Sequence, residues 1–219
     1  MIFTDRTEAG RSLAWRMDKY AKRDDVVVLG IPRGGVPVAY ELAKALHLPL
    51  DVFLLRKLGV PGHEELAFGA IASGGVRVLD RETLRALLIT PKDVEAVTKH
   101  EQQELLRRET AYRGDRPPLS LTGKTVILVD DGIATGASLL AGVHALRELS
   151  PAKIAIAVPV APPANCRRLE HEVDELVCVA TPERFRAVGE FYDDFSQVSD
   201  EQVIELLAQN QETSVGTAT

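Results

Sequence analysis

At 219 residues, with 45% hydrophobic and 26% charged residues, the chain has the composition of a folded globular protein, which excludes the disordered and fibrous classes. A formal net charge of −6, from 26 basic and 32 acidic residues, argues against a general nucleic-acid binder while leaving room for a local basic pocket. The charged opening MIFTDRTEAGRSLAWRM has no apolar leader core and no stretch reaches the roughly eighteen apolar residues of a membrane span, so no membrane association and a cytoplasmic location are expected.

In chain order, Thr4 or Asp5 can cap a helix running to about Tyr20, with Ala9, Leu13 and Met17 at helical spacing. VVVLG (26–30) reads as a buried strand, VPVAYELAKALHL (36–48) as a helix and DVFLL (51–55) as a second strand, together one right-handed βαβ unit. Residues 56–80 are glycine-rich, and FGAIASGGVRVL predicts two short strands about a Gly-Gly turn, antiparallel or peripheral. From Thr90 to Arg113 the pattern is a long, charged, mostly exposed helix with Thr90 as N-cap, Pro91 at the first position, and Glu95/Lys99 and Glu104/Arg108 spaced as ion pairs. GDRPP (114–118) ends it.

A second βαβ unit follows, with a strand over 125–129, a helix from about 136 to 149 and a strand over 153–158. A helix near 163–170, a strand at 175–180 and a closing helix at 200–209 complete the pattern. The expected fold is α/β, a doubly wound and mainly parallel sheet of about five strands, with a small appended subdomain or hood and a long charged helical insertion. Residues 1–209 are read as one domain, in which 57–118 forms a flexible loop, small strands and the helical insertion, and 210–219 as a disordered tail. Cys166 and Cys178 are too few and wrongly spaced for a zinc site and read as reduced thiols.

VILVDDGIATGAS (126–138) carries the strongest chemistry: four apolar residues, two adjacent acids, then glycines and hydroxyls leading into a helix. Ligands of open parallel sheets sit beyond the carboxyl ends of the strands, where this stretch lies. Gly132 and Gly136 allow close backbone approach, and the amides opening the next helix make an anion site, most simply for a phosphate, helped by the hydroxyls of Thr135 and Ser138. Asp130 and Asp131 would repel that phosphate, so they call for a hydroxyl-bearing or cationic partner, such as a ribose diol or Mg²⁺. Helix capping is the plainer use of an acid pair at this place.

The stretch resembles the 5-phosphoribosyl 1-pyrophosphate (PRPP) motif of the type I phosphoribosyltransferases, and the similarity in order extends over roughly residues 20–180. The resemblance implies that Asp130 and Asp131 face the ribose hydroxyls and that Ala134, Thr135, Gly136, Ala137 and Ser138 wrap the 5′-phosphate. GIPRGGVPVA (30–39) is a second strand-to-helix turn, where backbone amides and the Arg33 guanidinium suit an oxyanion, unless it is simply a tight turn. By the resemblance Pro32, Arg33, Gly34 and Gly35 form the pyrophosphate loop. Arg56 and Lys57, in LLRKLGVPGHEEL (54–66), are similar to the basic pair that neutralises departing pyrophosphate in the adenine and orotate branches; otherwise they are a solvated charge pair.

What the resemblance implies is an enzyme that uses Mg²⁺ and PRPP to transfer phosphoribosyl to a small-molecule acceptor, a nitrogenous base or amine, releasing pyrophosphate. Mg²⁺ would be held mainly through the substrate, with Asp130 and Asp131 as the protein's candidate ligands. Alanine at 134, where the hypoxanthine-guanine enzymes carry an acid, speaks against a 6-oxopurine acceptor read by that acid. Lid candidates are the 57–66 loop and the 91–113 helix, and RFRAVGEFYDDF (184–195) offers Phe185, Phe191 and Tyr192 for stacking on a base, or simply for the core. The family commonly forms dimers, so a homodimer is expected. The rivals are a PRPP-sensing regulator of the same fold that binds nucleic acid or a protein partner, and another phosphosugar or nucleotide enzyme sharing the loop.

Overall fold

A computed structural model describes residues 3–215. The first helix, α1 (Arg6–Arg16), is capped by the Asp5 side chain, which accepts from the Glu8 amide. It is shorter than its periodicity suggests, because the chain tightens into a 3-10 turn at Asp18–Tyr20. Strand β1 (Val26–Gly30), helix α2 (Gly35–Leu46) and strand β2 (Leu50–Val52) form the first βαβ unit.

β6 (Thr125–Val129), α5 (Ala137–Glu148), β7 (Lys153–Val160), α6 (Pro163–Glu170) and β8 (Glu175–Ala180) form the second half, and α7 (Asp200–Val215) closes it. The five strands make one wholly parallel sheet in the order β2-β1-β6-β7-β8. β1 and β6 lie inside it, and every residue of both is buried, as unbroken apolar runs covered by helices on both faces require. Among the described residues no helix is long and apolar enough to cross a membrane.

Residues 55–113 depart most from the pattern read in the sequence. DVFLL is not one strand. β2 stops at Val52, the Phe53 amide still reaches the Gly30 carbonyl, and the chain then enters a separate antiparallel sheet. That sheet contains β3 (Leu55–Val60), β4 (His63–Ala72) and β5 (Arg77–Leu79) in sequential order. The 57–66 segment expected as a flexible loop is therefore a β3–β4 hairpin whose Leu58 and Val60 are buried. A short helix, α3 (Arg81–Ala86), leads to α4 (Pro91–Arg113), which starts on a full Thr90/Asp93 capping box.

α4 is not simply solvated. It buries Val94, Leu105, Tyr112 and Arg113, and its ion pairs include Glu104 with Arg107, Glu109 with Arg113, Arg113 with Asp51 on β2, and Glu101 with Arg56 on β3, in place of the Glu95/Lys99 and Glu104/Arg108 pairs read from spacing. The tail boundary at 210 is also corrected. α7 continues to Val215, and Asn210, 3% exposed, accepts from the Leu50 amide and donates to the Leu48 carbonyl. Residues 216–219 of the expected tail lie outside the described residues.

Candidate functional site

Strand register builds the site. Gly30 pairs with Val129, so β1 and β6 end flush and their two outgoing turns emerge side by side. The Ile31 amide still donates to the Val129 carbonyl at 2.9 Å, joining the 31–35 turn to the 130–138 turn. There is no room between them for a side chain: a Cβ on Gly34 would stand 2.0 Å from Asp131 Oδ2, and one on Gly35 would stand 2.7 Å from the Val129 carbonyl oxygen. These two glycines are required by the approach of one turn to the other, a reason additional to any ligand. The Pro32–Arg33 peptide bond is cis.

Asp130 and Asp131 stand part-buried at the head of β6. Asp130 Oδ1 accepts from the Asp131 amide at 2.9 Å. Asp131 Oδ2 accepts from Arg6 twice, from Nε at 3.0 Å and Nη2 at 2.8 Å. The remaining oxygens, Asp130 Oδ2 and Asp131 Oδ1, take no hydrogen bond from any described residue. Burial, and then the neighbouring Asp131 charge, pushes the Asp130 carboxyl well above the usual carboxylate range. Burial also raises Asp131, with Arg6 working against it. The plainer use of the acids, capping α5, is not made: its N-cap is Gly136, in the left-handed region at φ 77°.

The turn into α5 has open donors. Among the described residues, the amides of Ala134, Thr135, Gly136 and Ser138 have no hydrogen-bond acceptor, and the Ala137 amide reaches only the Thr135 hydroxyl at 3.4 Å. Such a cluster at the positive end of a helix dipole suits an anion. The turn is braced from behind, where the Asn165 side chain donates to the Ala134 carbonyl and a Cβ on Gly136 would touch Leu169. Gly132 is also fixed as glycine by packing. It faces the Val188 side chain, which would lie 2.5 Å from an added Cβ.

In the neighbouring turn the Arg33 and Gly34 amides are likewise open among the described residues. The Arg33 guanidinium lies 3.8 Å from Asp200, a loose and exposed contact that leaves it able to turn toward another anion. Arg56 and Lys57 divide. Arg56 is held by Glu101 of α4, whereas Lys57 is exposed with no ion-pair partner among the described residues. Both line a groove of about 580 Å³ that also reaches Ala137, Ser138 and Arg168, so the basic pair adjoins the α5 turn.

The aromatic candidates in 184–195 pack mostly on one another. Phe185 and Phe191 stack with centroids 5.2 Å apart, and Tyr192 is buried against Phe3, its hydroxyl donating to the Asp131 carbonyl at 2.6 Å. Arg6 and Asn165 were not legible as site residues. Arg6 left one faint mark: a cation in the first turn of a helix opposes the dipole, so a partner elsewhere is its natural explanation. No cluster of three or more metal-ligating side chains occurs among the described residues.

Comparison with known proteins identifies the family. The Phosphoribosyl transferase domain model matches residues 4–196. Two Mycobacterium tuberculosis proteins, from strains H37Rv and CDC 1551 and provisionally named phosphoribosyl transferases, are 46% identical over 206 residues, which is 94% of this chain and 46% of theirs. The chain thus spans about half the length of the curated relatives it matches. The crystal structure of TT1426 from Thermus thermophilus superposes with a TM-score of 0.84 at 41% identity, covering 95% of this chain and 99% of that one. With the family model spanning most of its length and this degree of identity to its relatives, the chain belongs to the phosphoribosyl transferase domain family.

Proposed function

We propose that the chain is a phosphoribosyltransferase: it binds PRPP with Mg²⁺, transfers the phosphoribosyl group to a small nitrogenous base or amine, and releases pyrophosphate. The observation that carries the reading is the pair of open carboxylate oxygens, Asp130 Oδ2 and Asp131 Oδ1, next to a turn of open amides. A ribose 5-phosphate supplies the complement, two vicinal hydroxyls that donate and one dianion that accepts. In this reading Ala134 to Ser138 bind the 5′-phosphate, Asp130 and Asp131 the ribose diol, and Pro32 to Gly35 the pyrophosphate, with Arg33 turning from Asp200. Of the basic pair, Lys57 is the cation available to substrate, and Arg56 a structural partner of Glu101.

These residues act by position and charge. The amide turn fixes the phosphate end, the carboxylates fix the ring and offset the positive charge that grows at C1 as its bond to pyrophosphate lengthens, and Arg33 with its neighbouring amides takes up the negative charge of the leaving group. The donor set suits Mg²⁺, since two part-buried carboxylates each keep one free oxygen, the hard ligand that ion prefers. Two carboxylates without a third acid match a metal carried largely by substrate phosphates, where it would neutralise pyrophosphate. The same reading carries a homodimer, a cytoplasmic setting and no nucleic-acid partner.

The test is incubation with PRPP, Mg²⁺ and a panel of nucleobases and small amines, following pyrophosphate release. Acceptor-dependent release is expected, falling by about 100-fold or more in the Asp130→Asn/Asp131→Asn protein while its circular dichroism is unchanged. Full activity in that variant would remove the assignment of the acids.

A further inference from the structure

Asp131 is held by a side chain from far away in the sequence. Arg6, in the first turn of α1, places Nε and Nη2 on the single oxygen Oδ2, 125 residues distant. Its third nitrogen, Nη1, donates to the Ser196 carbonyl at 2.9 Å, and its guanidinium carbon lies 4.0 Å from the centre of the Phe195 ring. The side chain is 11% exposed and has no spare freedom. Both hydrogen bonds fall on one oxygen, so Asp131 is fixed in rotation while Oδ1 stays open. A surface ion pair would not need this, whereas a carboxylate required to meet a hydroxyl at a fixed place would.

We infer that Arg6 is a positioning residue: it aims Asp131 Oδ1 at the ribose and makes α1 and the 195–196 segment part of the ribose end of the site. The inference rests on the reading of Asp131 given above. Without Arg6 the carboxylate loses its only side-chain donors among the described residues and is free to rotate. The phosphate turn, which Arg6 does not touch, keeps its own donors.

Isothermal titration with two probes tests this in the full chain, ribose 5-phosphate for the whole site and inorganic phosphate for the α5 turn alone. Arg6→Gln should weaken ribose 5-phosphate by about tenfold or more and leave inorganic phosphate unchanged. Arg6→Lys, which supplies charge without the planar fork, should recover only part of the loss. Arg6→Gln combined with Asp131→Asn should bind no worse than Asp131→Asn alone, because both changes remove one interaction. Unchanged ribose 5-phosphate affinity in Arg6→Gln, or a parallel loss of both probes, would overturn the inference, the second by making Arg6 a general support of the fold. If the unaltered protein binds inorganic phosphate but gains nothing from the ribose, the reading of the acids fails first and takes this inference with it.

Discussion

The five-stranded sheet and the 55–113 region are held together in different ways. In the sheet, β1 and β6 are buried along their whole length, and apolar side chains from α1, α2 and α7 close over one face. α4 in the other region has 23 residues, of which only Val94, Leu105, Tyr112 and Arg113 are buried. It is tied down through polar groups. Arg113 meets Asp51 of β2 at 2.8 Å, with both side chains under 10% exposed, and donates to the Val52 carbonyl at 2.9 Å. Tyr112 donates to Asp200 at 2.6 Å, and burial followed by that neighbour pushes its hydroxyl up to about 12. The lesson is that apolar periodicity reports an element that buries a stripe, but cannot report one anchored at a few charged points.

Breaking the strongest of those anchors gives the largest effect. Arg113→Ala removes a cation facing Asp51 on one side and Glu109, at 3.0 Å, on the other, leaving two carboxylates in a buried place. A loss of about 3–5 kcal/mol in urea unfolding is expected, because the stranded charges lose their compensation. Neutralising the partners should restore most of it, so Arg113→Met with Asp51→Asn and Glu109→Gln is predicted to unfold near the unaltered protein. A loss below about 1 kcal/mol for Arg113→Ala would mean that α4 is held by its few apolar residues after all.

The same contrast separates what the sequence makes legible from what it does not. β1, β6, α2 and α5 were readable because runs such as VVVLG and TVILV have one physical explanation in a domain of this size. The phosphate turn was readable because acids, glycines and hydroxyls within nine residues are few enough to constrain a ligand. β3 was not, since Gly59 and Pro61 in LRKLGVPG mark a turn as readily as the end of a strand. Arg6, Asn165 and Arg113 were hidden for another reason. Each acts across a long sequence separation on a backbone or carboxylate whose position only the folded chain supplies.

At the carboxyl edge of the sheet, just past β6, the acid pair is another departure from apolar stabilisation, and it sharpens the comparison. The Asp130 carboxyl titrates well above its ordinary 3.8 because it is buried and faces Asp131. A carboxyl raised on folding makes folding less favourable as the pH rises above its ordinary 3.8, reaches its full penalty above the folded value, and costs nothing as pH falls back toward 3.8. Asp130→Asn should therefore raise the melting temperature of the protein at pH 7 in EDTA, by about 2–4 °C for each kcal/mol relieved. The gain should shrink as the pH is lowered, and turnover should fall at the same time, the mark of a site that trades stability for function. A variant less stable than the parent at pH 7 would contradict this reading of the pair.

The smallest effect is expected at Glu101, the α4 end of the link to β3. Burial alone would raise this carboxyl, but the hydrogen bonds from Arg56 and His100 outweigh it and hold it below its ordinary 4.5. A carboxyl lowered on folding stabilises the protein above its unfolded value and loses that contribution as pH falls through the folded one. Glu101→Gln should cost up to about 1 kcal/mol at pH 7, since the pair is only partly shielded, and next to nothing below the folded value, where the parent carboxyl is itself protonated. Urea unfolding of the two proteins across that pH range measures the difference directly. A gap that stays constant with pH would assign the loss to packing of the side chain and not to its charge, and would place this contact with the apolar half of the comparison.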